Sequence, residues 1–73
     1  MTRQEIEKLI EAGLPGCVAM VKGDDGRHFE AEVLYPGFEG KSLVQQHRMV
    51  YATLGARMGA EIHALQLTTK ARA

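Results

Sequence analysis

Cysteine is almost absent from this chain of 73 residues. The single thiol, Cys17, excludes an internal disulfide and any zinc site built on Cys-x-x-Cys pairs. One cysteine and three histidines supply at most part of a metal centre, so any such centre must be completed by another molecule. No apolar run exceeds a few residues, which excludes a membrane-spanning helix. The opening Met-Thr-Arg-Gln-Glu lacks the apolar core of a secretory signal, so cytoplasmic residence is expected. Formal net charge is zero, leaving no global field to draw in nucleic acid. There is no internal repeat, low-complexity tract, nucleophile–base pair, carboxylate dyad or cofactor fingerprint, and an enzyme is not expected.

The content that is present describes one small domain near the lower limit for folding without staples or a partner. Hydrophobic residues make up 45% of the chain, which argues against disorder. Thr2 with Glu5 forms a capping box for a helix over about residues 3–12, with Ile6, Leu9 and Ile10 at helical spacing and Gly13 as its stop. Pro15-Gly16 forces a turn. Cys17 to Lys22 reads as a strand, and Gly23-Asp24-Asp25-Gly26 as the turn of a hairpin. From His28 to Tyr35 the pattern alternates, with Phe29, Ala31 and Val33 on one face and His28, Glu30 and Glu32 on the other.

Gly37 to Tyr51 is the stretch around which the chain is organised. Gly40-Lys41-Ser42 ahead of a helix resembles a phosphate loop, but that motif needs glycine five residues before Gly40, where Tyr35 stands. A Gly-x-x-Gly turn and a strong cap are left. Ser42 and Gln45 make the second capping box, and Leu43, His47, Val50, Tyr51, Leu54 and Met58 fall in one stripe, with Val44 at its edge. Gly59 is the expected C-cap. Gly55 inside the segment costs about 1 kcal/mol; it either admits another backbone or divides the helix in two. A third strand is expected from Glu61 to Thr69, with His63, Leu65 and Leu67 facing one way and Ile62, Ala64 and Gln66 the other.

The order is helix, strand, strand, helix, strand, an α+β domain spanning residues 1–73. The third strand returns after a connection of about 26 residues that contains a helix, long enough for a right-handed crossover. If it lies beside and parallel to the second, their starting ends meet. His28 opens one and His63 opens the other.

Phe38-x-Gly40-Lys41-Ser42-x-Val44-x-x-His47-Arg48-x-Val50-Tyr51, followed by Ile62-His63-Ala64-Leu65, resembles the BolA family. The turn before the second strand, running to His28-Phe29, is similar to the short bacterial IbaG/YrbA-type branch. The resemblance covers nearly the whole chain. It implies a class II KH-like fold, with a three-stranded mixed sheet packed by helices on one face. It also implies pairing with a monothiol glutaredoxin to share a 2Fe–2S cluster in iron–sulfur trafficking or iron sensing. In that arrangement the partner brings a cysteine and a glutathione thiol, His63 corresponds to the family histidine, and His28 occupies the loop that supplies a second ligand. No cluster is expected in the isolated chain.

Each residue also has a plainer reading. His63 shares a face with Leu65 and Leu67, as a half-buried strand-end histidine would. Alternation sets His28 on the polar face, so it either belongs to the turn or is merely solvated. His47, mid-stripe, is read as a structural histidine anchoring helix to sheet, and Cys17 as a small core residue. Family members are also described as transcriptional regulators, and a Gly-x-x-Gly loop clamps single strands in KH domains. Gly37, Gly40, Lys41 and Arg48 are therefore the candidates for contact with nucleic acid or a partner. Against that role, Phe38-Glu39 fills the loop's middle where a basic pair would help, and the loop follows a strand. A third alternative is a scaffold that binds glutaredoxin without metal.

Overall fold

The computed structural model describes residues 1–23, 25–26, 28–60, 62 and 64–72. Its elements are α1 (Arg3–Gly13), β1 (Val18–Lys22), β2 (His28–Leu34), a 3-10 turn (Pro36–Phe38), α2 (Leu43–Leu54), a second 3-10 turn (Gly55–Arg57) and β3 (Ala64–Lys70). β2 is central: β1 pairs with it antiparallel and β3 parallel. Both helices pack on one face of this mixed sheet, the α+β arrangement expected from the sequence.

The first capping box forms as the residues dictate. The Thr2 hydroxyl accepts the Glu5 N–H at 3.2 Å, and the Glu5 carboxylate accepts the Thr2 N–H at 3.1 Å. Those hydrogen bonds hold the Glu5 carboxyl below its usual range. Ile6 and Ile10 seal the inner face of α1. Gly13 is not the helix stop but its last residue, capped by Leu14, whose N–H donates to Ile10 O at 2.9 Å. Packing explains the glycine: a Cβ there would stand 2.7 Å from Thr53 Cβ on α2.

Alternation in the sheet is kept. Ala19, Val21, Phe29, Ala31 and Val33 are buried under the helices, with Leu65 and Leu67 half-buried beside them. Cys17 joins this core, its thiol 3.9 Å from Ile10 O, and burial pushes its pKa up. On the edge strand, Glu7 of α1 accepts the Val21 N–H at 2.8 Å and so satisfies a donor that would otherwise invite another strand.

The second capping box, Ser42 with Gln45, starts α2. Its apolar stripe is only partly consumed. Val50 and Leu54 are sealed, but Leu43 and Val44 are 61% and 58% exposed and Tyr51 lies at the rim. The core meets the flank bearing Met49, Val50, Thr53 and Leu54, because α1 closes against Thr53 and rotates the helix away from the stripe's centre. The helix ends at Gly55 (φ +57), not at Gly59, so Gly55 divides the segment. Met58 leaves the helix and bridges to Ile62, which is sealed in the core. β3 therefore begins at Ala64, and the alternation expected from Glu61 does not hold at Ile62; Glu61 itself lies outside the described residues.

Gln46 ties three elements together. Its Nε2 donates to Lys41 O at 2.9 Å and its Oε1 accepts the Thr69 hydroxyl at 2.6 Å. Among the described residues, no helix is long and apolar enough to cross a membrane.

Candidate functional site

The register of the parallel pair sets His28 opposite Ala64, the residue that follows His63 in sequence. His63 itself lies outside the described residues. Around His28 the chain is closely fitted. A Cβ at Gly23 would stand 2.7 Å from both the His28 carbonyl oxygen and the Phe29 ring, so only glycine lets β1 leave the sheet here. Phe29 points into the core and His28 points away from it. The imidazole is thus held on the solvent side of the sheet by its buried neighbour.

Asp25 then orients the ring. One carboxylate oxygen accepts the His28 backbone N–H at 2.9 Å; the other lies 2.8 Å from Nδ1. Among the described residues Nε2 has no hydrogen-bond partner, and the side chain is 70% exposed. A hollow of about 600 Å³ opens beside it, lined among others by Arg3, Lys22, Ala64 and Gln66. Sequence reasoning took Asp25 for a turn former only. The signal that would have found it is the Asp-x-x-His spacing across the turn.

An exposed imidazole of this kind could contribute one ligand to a metal group. An imidazole with one nitrogen tied to a carboxylate presents the other as a ligand. Among the described residues, no group of three or more His, Cys, Asp or Glu stands close enough together to hold a metal ion. Cys17 cannot join His28, because it precedes Val18, which pairs with Leu34 at the far end of β2. Six residue steps along the strand separate His28 from that end, roughly 20 Å.

A family model described as BolA-like protein matches residues 15–73, which take in β1, β2, α2 and β3. This chain belongs to the BolA family. A solved BolA homologue from Coxiella burnetii is 45% identical and superposes with a TM-score of 0.85, covering 96% of this chain and 90% of that one. Chloroplastic BOLA1 of Arabidopsis thaliana is 37% identical over 59 residues, which is 81% of this chain but only 34% of that protein. The DNA-binding transcriptional regulator BolA of Escherichia coli is 28% identical over 78 residues, covering 94% of this chain and 74% of that protein.

Three further candidates of this BolA-family chain sit at the other end of the sheet, while His47 and Arg48 lie within α2. Gly37, Gly40 and Lys41 follow the C-terminal end of β2, so β2 itself separates them from His28. Phe38, in the middle of the Gly-x-x-Gly turn, is sealed in the core and meets Tyr35 edge-on at 5.2 Å between ring centroids. Gly37 is pressed against the Tyr35 ring, and Gly40 takes a positive φ of 76°. Lys41 and Arg48 are exposed. His47 is half-buried; its Nε2 is buried without a hydrogen-bond partner among the described residues, and its ring meets Tyr51 edge-on at 6.4 Å.

Proposed function

We propose that this BolA-family protein is a non-enzymatic adaptor that gives imidazole ligands, His28 and His63, to a 2Fe–2S cluster shared with a monothiol glutaredoxin. The partner's cysteine and its glutathione thiol complete the ligand set. The observation that carries the reading is the exposed His28 ring, with Nδ1 held by Asp25, Nε2 unbonded, and β3 starting alongside. The adjoining hollow is lined by two cations, Arg3 and Lys22, and one carboxylate, Glu30, a balance that leaves one positive charge toward a thiolate-ligated cluster and glutathione. When bound, such a cluster would supply one-electron chemistry at a potential raised by its imidazole ligands. This chain's part is to present the rings.

The test is reconstitution of the complex from the protein, a monothiol glutaredoxin, glutathione, iron and sulfide. Visible absorption and circular dichroism should change in His63→Ala and in His28→Ala. Spectra identical to the wild type in His63→Ala would overturn the ligand assignment. Titrating the two apo-proteins separates a metal-free scaffold, which binds equally well without the cluster.

A second reading has its own support. No aspartate or glutamate occurs from Lys41 through Ala60, a stretch that carries Lys41, Arg48 and Arg57, and one relative is a DNA-binding regulator. A role in nucleic-acid contact predicts binding that weakens steeply with salt and in Lys41→Ala. Absence of binding at low salt removes it.

A further inference from the structure

We infer that Asp25 is a positioning residue for the His28 ligand: it selects Nε2 as the donor atom and fixes the direction in which that atom faces the partner. The inference rests on the proposed ligand role of His28 and adds a residue to it. It comes from two hydrogen bonds made by one carboxylate. Oδ1 takes the His28 backbone N–H at 2.9 Å and Oδ2 meets Nδ1 at 2.8 Å. An ionised carboxylate only accepts, so the ring must place its proton on Nδ1. The neutral imidazole then keeps its lone pair on Nε2, the nitrogen with no hydrogen-bond partner.

The two bonds also act on different degrees of freedom. The backbone bond closes the turn before β2; the ring bond sets the side-chain rotamer. A side chain 70% exposed has little packing to hold it, so the carboxylate does what a core does for a buried ligand. Gly23 supports the same geometry from beneath, because the chain passes too close to the His28 carbonyl for any Cβ. Carboxylate-held imidazoles are a recurrent second layer around metals, and losing such a partner weakens binding about 10–100-fold.

Asp25→Asn separates the two bonds. An asparagine oxygen still accepts the backbone N–H, so the turn closes. Its amide NH₂ then faces Nδ1 and donates to it, which moves the ring proton to Nε2 and blocks the donor atom. The first measurement is the nitrogen NMR shifts of the His28 ring in the free protein at neutral to mildly alkaline pH. We expect the Nδ1–H tautomer in the wild type and the Nε2–H tautomer in Asp25→Asn, with the His28 backbone N–H still hydrogen-bonded. The second is the rate of cluster loss to a chelator from the reconstituted glutaredoxin complex, with visible circular dichroism recorded in parallel. Asp25→Asn should lose cluster about 10–100-fold faster and alter the spectrum. Asp25→Glu, one methylene longer, should restore the tautomer in part.

An Nε2–H ring in the wild type overturns the inference. So does the expected tautomer change with no change in cluster spectrum or lifetime, provided His28→Ala changes both; the ligand reading then survives without Asp25. If His28→Ala leaves the complex unchanged, the ligand reading itself fails, and the inference falls with it.

Discussion

Replacing Gly13 by alanine gives a sharp test of how the two helices fit. In an open helix the change is favourable by about 1 kcal/mol, because glycine carries the larger entropy cost. Gly13 is helical with ordinary backbone angles, so the same gain is available here. The added Cβ, however, would stand 2.7 Å from Thr53 Cβ and 3.4 Å from Thr53 Cα. Rotating Thr53 relieves neither contact, since both atoms are fixed to the α2 backbone, and it would break the 2.6 Å bond from the Thr53 hydroxyl to Val50 O. The helices must therefore separate, at an overpacking cost of about 1–3 kcal/mol. The net expectation is a loss of about 1 kcal/mol, equivalent to a fall in Tm of about 4–8 °C for a domain this small. Against a total stability of roughly 4–11 kcal/mol for such a length, the change is easily measured by calorimetry or urea denaturation. Ala12→Gly, on the exposed side of the same turn, is the control and should cost about 1 kcal/mol through propensity alone. A rise in Tm for Gly13→Ala would refute the close helix contact.

Other expectations follow from single contacts. Glu7→Ala removes the acceptor at Val21 N–H and should cost about 1–3 kcal/mol, with faster amide exchange at Val21 and more self-association through the β1 edge. Gln46→Ala cuts the links to Lys41 O and Thr69; urea denaturation should show a loss of about 1–3 kcal/mol, and a loss below 0.5 kcal/mol (about the scatter of neutral surface changes) would contradict those bonds. His47→Phe removes a buried nitrogen that has no partner, so stability should hold or rise. Cys17 gives a pH signature. Burial raises its folded pKa above the unfolded value, so its contribution is complete below the ordinary thiol range and is lost as pH rises through the folded pKa. Stability measured from pH 7 to 10 should decline more steeply in the wild type than in Cys17→Ala.

The local features most legible in the sequence were those enforced within a few residues. Both capping boxes form as spelled, since each needs only its own turn. The alternation of β2 also holds, because a one-residue slip would turn Phe29, Ala31 and Val33 out to water. The glycines were harder to read. Gly13, Gly55 and Gly59 all look like helix stops, and only Gly55 is one; a close neighbour and a positive φ leave the same letter in the sequence. The α2 stripe misled for a related reason. Periodicity reports which residues share a flank but not how a neighbouring helix rotates that flank relative to the core.

At the candidate site, sequence alone determined that one cysteine and three histidines supply at most part of a metal centre, that His28 sits on the polar side of its strand, and that the order of elements permits β3 to run beside β2. Tertiary structure decided the pairing of His28 with Ala64, the roughly 20 Å of strand between His28 and the Cys17 end, and the burial of Phe38 within the Gly-x-x-Gly turn. It also joined Asp25 to the His28 ring. The division has one physical cause. Composition and spacing constrain what a few neighbouring residues can do in any fold, whereas register, helix rotation and hydrogen bonds across a loop depend on contacts made only after the chain has closed on itself.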